Sequence, residues 1–374
     1  MHSYKIVLTA GFAMFSMFFG SGNLVFPLLV GFKSLASYPY AILGFILTAV
    51  CVPFLGLLGI MQYQGDRKAY FASLTKGVSF TLVLMMLTLM GPFGVIPRCI
   101  TVAFGGITVL EPALPFWVFS LGFCLLTGAL IWKRNRIVSI IGLVLTPFKL
   151  GSIILLIGFG LWYGEQTLPT AQPALESFWL GVSQGYQTMD LMAAFFFACT
   201  IYEYLKIQLA EKGQFQPNFQ QLFRYGLQAS LMGAALLGIV YVGFTILGAK
   251  YAPYLQTTAP ESMLVEIANH ALGRYAVPFV AFTLAVSCLA TATVLTTLFV
   301  DFLQEEISCN RLSRPQSIIV TLILTFGMSL LGFQVICQWL GATLEWIYPL
   351  LVVYAILQIG RNVMTQKSVL HSKI

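Results

Sequence analysis

The chain has 374 residues, 58% of them hydrophobic and only 9% charged, with 20 Lys and Arg against 13 Asp and Glu for a formal charge of +7. Soluble domains carry roughly 25% charged residues, so this composition excludes a soluble globular protein and predicts an integral membrane one. Seven cysteines scattered without a CxxC spacing argue against both a disulfide framework and a zinc site.

Apolar runs of about 20 residues, the length that crosses a bilayer as a helix, set the elements. The first, 6–31, is broken near its middle by Gly20-Ser21-Gly22-Asn23. Two glycines and an asparagine weaken the helix where hydrocarbon demands full backbone hydrogen bonding. That is tolerated only where protein or a watery cavity receives the freed groups. The run exceeds the apolar core of a signal peptide, about 7–15 residues, and so predicts a span rather than a cleaved leader. The second run is 39–61, and the polar stretch 62–77 after it predicts a loop or a short surface helix. The third, 79–108, contains Gly91-Pro92 and Pro97; the fourth and fifth are 115–132 and 137–162, the latter with Pro147. The sixth, 179–205, carries Gly181, Ser183, Gln184, Gly185, Gln187, Thr188 and Asp190 near its start. Runs at 222–249, 274–303, 316–333 and 343–360 bring the number to ten.

With the N-terminus inside, 15 of the 20 basic residues fall in cytoplasmic segments and three, Lys33, Lys250 and Arg274, outside, leaving Arg98 and Lys149 within spans. That asymmetry predicts both termini in the cytoplasm. It also accounts for the net charge without a nucleic-acid partner, since no basic face with interleaved aromatics stands outside the membrane.

Ten spans divide into five and five, and an odd half sends the second half into the membrane from the opposite side. The expectation is an inverted repeat, about 5–162 and 179–360, within a single transporter domain over 1–374. Such an architecture binds its substrate where the first span of each half is broken. The first and sixth spans are the two most interrupted by polar residues.

The string from Gly11 to Pro27, centred on Phe18-Phe19-Gly20-Ser21-Gly22-Asn23, resembles the first helix of the branched-chain amino acid:cation symporter family. Gly91-Pro92-Phe93-Gly94-Val95-Ile96-Pro97-Arg98 and Gly185-Tyr186-Gln187-Thr188-Met189-Asp190 match further motifs in the family's order, so the resemblance covers about residues 5–330. It implies the all-α, five-plus-five inverted-repeat fold of the amino acid-polyamine-organocation superfamily, with helices one and six broken. It also implies import of leucine, isoleucine and valine across a bacterial plasma membrane with sodium, or alternatively with protons or with a broader range of neutral amino acids. The implied partners are that small substrate and the bilayer, and no cofactor beyond the coupling ion is implied.

A zwitterionic substrate loses water from a carboxylate and an ammonium, and each needs replacement partners. Backbone amides at Gly22, Asn23 and Leu24, where the outer half of helix one begins, are placed to receive the carboxylate, with Gly20 and Ser21 beside them. Carbonyls around Ser16, Met17 and Phe19, at the end of the inner half, suit a cation or the ammonium. Met192, Phe195, Phe196 and Phe197 on the sixth span are candidates for the apolar side-chain pocket, although such a row also packs against helices or lipid.

Ser287 and Thr291 lie four residues apart on the eighth span and share a face. With carbonyls of Ser16 and Phe19 they would form a hard-oxygen site for Na+. In the family this stretch presents two adjacent hydroxyls, aligned here with Ala290 and Thr291, and Ala290 supplies none. Asp190 either holds a helix end or gate in place or takes part in coupling, since acids within the membrane are costly and functional by default. Arg98 is expected as a fixed charge pairing with a neighbour or lining the outer pathway, while the stem of Lys149 is long enough to snorkel.

Three further departures from the family are Gly105 at the position of an acidic residue, Ala198 for the small residue expected at the sixth-helix break, and ten spans where relatives carry about twelve. A membrane-embedded enzyme would need a convergent nucleophile and base. His2, His270 and His371 sit at the termini and in an outer loop, and neither GxSxG nor HExxH occurs. A passive channel would need a charged ring or carbonyl filter, and no such repeated element is present. Nor is a phosphate-binding GxxxxGK[ST] loop.

Overall fold

The computed structural model describes residues 2–132, 137–170, 172–210 and 218–371, with side chains over 4–132, 146–170, 172–210 and 218–361. Among the described residues the regular structure is all helical. The first span is two helices, α1 (His2–Phe18) and α2 (Ser21–Ser34), parted at Phe19 and Gly20. Leu35, at φ 48°, turns the chain into the second span, α3 (Tyr38–Ile46), a π-helical turn and α4 (Val52–Gln62). From Ser21 to Gln62 there are 42 residues, about 63 Å of helix at ~1.5 Å per residue, twice the ~30 Å hydrocarbon core. The stretch is too long for one crossing: α2 completes the first span, and α3 to α4 make the second.

The polar stretch that follows forms a short surface helix, α5 (Arg67–Phe71). Asp66 caps it by accepting the amides of Lys68 and Ala69 at 2.8 and 3.1 Å. The third span is α6 (Lys76–Met90) and α7 (Val95–Ile107), and the fourth and fifth are α8 (Phe116–Trp132) and α9 (Ile137–Tyr163). The sixth is again two helices, α10 (Ala174–Tyr186) and α11 (Asp190–Ala210). The seventh is α12 (Phe219–Lys250), followed by the short α13 (Ala252–Leu255) and α14 (Met263–Leu272) in the connection to the eighth, α15 (Val277–Phe302). The ninth and tenth spans are α16 (Arg314–Ser329) and α17 (Phe333–His371). Of the basic residues used to orient the chain, Lys133, Arg134, Arg136, Lys212 and Lys373 lie outside the described residues.

The third span differs from the expected single helix over 79–108. It breaks at the Gly91-Pro92-Phe93-Gly94 motif, where the Gly91 amide closes α6 on the Leu87 carbonyl at 2.8 Å. Pro92 has no amide to continue the ladder.

Helix contacts follow the inverted repeat. Both halves of the first span, α1 and α2, pack on the seventh span, α12. The two halves of the sixth span pack in the same way on the second, α10 against α3 and α11 against α4. Glycines let these backbones meet: a Cβ at Gly44 or Gly181 would fall inside the facing carbonyl of Phe178 or Ala41. The same holds across the other pair, where Gly31 faces the Thr245 carbonyl and Gly248 that of Leu28. Gly181 and Gly185 form a GxxxG pair whose task is this close helix contact. They are packing residues of α10, and the helix break comes after them.

Candidate functional site

Both broken spans open at one place. The sixth span breaks at Gln187–Met189, where Met189 takes a left-handed φ of 61°. Gly22 lies directly against it, since a Cβ there would stand 3.2 Å from Thr188 Cα and 3.4 Å from the Gln187 carbonyl. Ala198 is not at this break, contrary to expectation, but is buried inside the continuous helix α11.

The start of α2 leaves four amides, on Gly20 to Asn23, without partners inside the helix. The Gly20 amide is satisfied by Asn23 Oδ1 at 3.2 Å, the reach-back of a residue at the third helical position. The Ser21 amide is turned to the Cys99 thiol, which leaves the amides of Gly22 and Asn23. The Leu24 amide, expected among them, instead reaches the Gly20 carbonyl as the first bond of the helix.

Asn23 also ties the breaks together. Its Nδ2 donates to Asp190 Oδ2 at 2.8 Å and contacts the Tyr241 hydroxyl, which itself donates to the same carboxylate oxygen at 2.9 Å. Asp190 is 2% exposed and begins α11, where a negative charge complements the helix dipole. Arg98 serves the opposite end of the gap. Its guanidinium, fully buried, donates to the Gln187 carbonyl at 2.9 Å, to Gln187 Oε1 at 3.4 Å and to Met189 Sδ at 3.4 Å. A positive group thus caps the carbonyl end of α10, and the face of the Phe26 ring, 5.3 Å away, shelters it. Tyr348 on α17 adds a hydroxyl that accepts the Leu191 amide at 3.3 Å.

Between the breaks lies a small cavity with about 20 Å3 of room for water centres, lined by Gly20, Ser21, Gly22, Asn23, Asp190 and Thr291 and by apolar Phe18, Ala193 and Phe197. A water needs about 10–15 Å3 on this measure, whereas ligand pockets span roughly 300–1,000 Å3. An amino acid enters only if the helices part. On one side Arg67 of α5 stands 4.7 Å over the Phe196 ring and 3.6 Å from Glu306 at the end of the eighth span. On the other, Glu261 and Ser262, just before α14, lie on Gly105 of α7; Ser262 Oγ donates to the Gly105 carbonyl at 2.9 Å. Glu261 thus lays its Cγ and backbone carbonyl on the glycine that departs from the family's acid.

The structure brings Gly20, Ser21, Gly22, Asn23, Asp190 and Thr291 together and sets other expected residues elsewhere. Phe195 packs on Tyr70 and Phe71 of α5, at centroid distances of 5.6 and 5.5 Å, and Phe196 carries Arg67. Met192 is buried outside the cavity lining. Phe197, one turn along, is the aromatic that faces inward, set edge-on to Phe18 at 5.3 Å. Tyr241 and Tyr348 were not foreseen: each is a lone tyrosine in an apolar run, and only the fold puts its hydroxyl at the breaks.

The expected cation site is only partly assembled. Thr291 abuts Gly20, where a Cβ would lie 3.0 Å from its Oγ1, and the Ser287 and Thr291 hydroxyls are both buried without a partner. Phe19, however, already has a donor. Its carbonyl receives Lys149 Nζ at 2.9 Å. Lys149 is 4% exposed, so it does not snorkel. One of the four expected oxygens is thus committed to a side chain of the protein, and the set does not fit sodium as it stands.

Ten spans among the described residues, in inverted halves with facing breaks at a polar centre, define a membrane transporter of the broken-helix type. Solved structures share this fold: an inward-facing conformation of Mhp1 has a TM-score of 0.60 at 10% identity, covering 92% of this chain and 75% of that one. MhsT in complex with L-phenylalanine has a TM-score of 0.52 at 17% identity, covering 85% and 78%. The chain belongs to the family described as branched-chain amino acid transport protein, which matches residues 3–374. It is similar to the branched-chain amino acid transport system 3 carrier protein of Pseudomonas aeruginosa, with 29% identity over 349 residues, 92% of this chain and 78% of the other. The branched-chain amino acid permease BrnQ of Bacillus subtilis is 29% identical over 344 residues, 87% and 75% of the two chains.

Proposed function

We propose that this protein imports leucine, isoleucine and valine across a bacterial plasma membrane by alternating access, driven by a cation gradient. The observation that carries the reading is one cavity lined both by the start of α2, with the amides of Gly22 and Asn23, and by the Asp190 carboxylate. The amides suit a substrate carboxylate and Asp190 suits an ammonium. Phe18, Ala193 and Phe197 offer the apolar wall that a branched side chain needs. Family membership and the carriers among its relatives support the substrate class.

The distribution of basic residues supports both termini in the cytoplasm. One positive charge moving down 100 mV releases about 2.3 kcal/mol, against about 1.4 kcal/mol for each tenfold of accumulation. A single coupled cation therefore supports concentration by tens of fold. Sodium is the ion expected at the oxygens of Ser16, Phe19, Ser287 and Thr291, but with the Phe19 carbonyl taken by Lys149 that set does not support it. A proton is the second reading, favoured by the Lys149 ammonium at the Phe19 carbonyl.

The two-ended site is tested by thermal unfolding of the purified protein with L-leucine, L-leucinamide and 4-methylpentanoate. Leucine, with both charged groups, raises the midpoint, and the two analogues, each lacking one charge, do not. Equal shifts with all three would remove the paired recognition.

A further inference from the structure

We propose that Lys149 is a cation built into the transporter: its ammonium fills the carbonyl face at the end of α1 where a coupling ion was expected, so that this position works without sodium. The inference rests on the reading of the chain as a cation-driven importer and concerns one position in it.

Helix α1 ends at Phe18, and α2 starts anew at Ser21. The Phe19 carbonyl therefore has no helical donor and points at the fifth span. Lys149, from the middle of α9, donates to it at 2.9 Å with Nζ 5.0 Å from the Phe19 ring centroid. No acid pairs with this ammonium in any ion pair among the described residues; those pairs lie on Glu306, Glu266 and Asp301. Its titratable neighbours are the thiols of Cys99 on α7 and Cys288 on α15. A carbonyl dipole and a ring face, without a carboxylate, are the surroundings of a bound cation rather than of a salt bridge.

A sodium ion on the same carbonyl would stand beside a like charge in a medium that screens poorly. The hydroxyls of Ser287 and Thr291, buried without partners, remain on the facing span. Shortening Lys149 would free the carbonyl and complete an oxygen set that sodium can use.

The test compares the wild type, Lys149→Ala and Lys149→Met in sodium chloride and in choline chloride of equal strength. Two readouts are taken: leucine uptake in proteoliposomes and the thermal midpoint of the purified protein, which a specifically bound ion raises. The wild type is expected to give the same uptake and midpoint in both salts. Lys149→Ala should lose uptake by about tenfold in choline and recover in sodium, with a sodium-dependent rise in midpoint for the ion it now binds. Lys149→Met, which loses the charge but keeps the bulk, should lose uptake in both. A wild type that needs sodium for uptake or is stabilised by it would overturn the proposal, as would variants that match the wild type in both salts. Should Lys149→Ala fail to fold, the two wild-type comparisons decide. Absence of leucine uptake in every condition would instead strike the function, and the midpoints would still report on Lys149.

Discussion

Asn23, in the first turn of α2, and Asp190, the first residue of α11, join the two helix breaks through a single hydrogen bond of 2.8 Å across 167 residues of chain. Each side chain serves its own helix end as well, Asn23 by accepting the Gly20 amide. The bond locks the geometry of both half-helix starts at once. Replacing Asn23 with Ala leaves the Gly20 amide and the Asp190 oxygen each short of a partner, at about 1–3 kcal/mol for a buried group. Asn23→Ala and Asp190→Ala should therefore each reduce leucine uptake with normal insertion. Their double mutant should be non-additive by roughly 0.5–3 kcal/mol in thermal stability. Strict additivity would mean that the two breaks are not coupled.

Gly20 is held by its neighbour and not by its own backbone. Its φ of −113° and ψ of −159° suit any residue, but a Cβ would stand 2.8 Å from Thr291 Cγ2. Gly20→Ala should impair transport, and Thr291→Ser in the same chain, which removes that methyl, should restore part of it. Failure of Thr291→Ser to restore any activity would place the defect elsewhere.

Arg98 should resist conservative exchange. Lysine keeps the charge but not the planar fork that reaches both Gln187 and Met189. Arg98→Lys is expected to lower the unfolding free energy by about 1–3 kcal/mol, the cost of an under-satisfied buried acceptor, with uptake falling in parallel. Unchanged stability and uptake would show that the α10 end does not depend on this cap.

Two adjacent phenylalanines should behave differently. Phe197 lines the cavity, whereas Phe196 lies under Arg67. Phe197→Ala should shift preference toward bulkier amino acids in competition assays. Phe196→Ala should leave the ranking intact and change the transport rate. The reverse pattern would exchange their roles.

Glu261 sets a pH dependence. Burial in the connection between the seventh and eighth spans raises its carboxyl above the usual range, so the packed segment holds a proton more readily than the unfolded chain does. By linkage this packing is strongest at low pH and weakens as the pH rises from the ordinary value of about 4.3 through the raised one. The thermal midpoint of the wild type should fall over that window relative to Glu261→Gln, which stays neutral throughout. Parallel curves would show the carboxyl to be freely solvated.

Much of this architecture is legible in the amino-acid order, because hydrocarbon demands long apolar runs and exposes any polar break within them. The interruption at Gly20 to Asn23 and the polar start of the sixth span both mark real gaps. Where the reading erred, a local cue served a distant purpose. Gly181 and Gly185 look like helix breakers, yet they serve contact with α3 and with the π-helical turn after it, and the gap falls at Gln187–Met189, where a methionine takes the left-handed turn without a glycine to announce it. Phenylalanines 195 to 197 read alike in sequence, and only the rotation of α11 separates the inward-facing one from its neighbours. Lys149 offered no motif at all. Its meaning arises from the register of the fifth span against the end of α1, a tertiary fact.

The most direct test of transport is accumulation of labelled leucine in proteoliposomes with the interior negative and an inward cation gradient, sodium and protons imposed separately. The structure and its family predict leucine rising well above the bath concentration under at least one gradient and collapsing when an ionophore dissipates it. Leucine that only equilibrates, or does not enter under any gradient, would contradict cation-driven import.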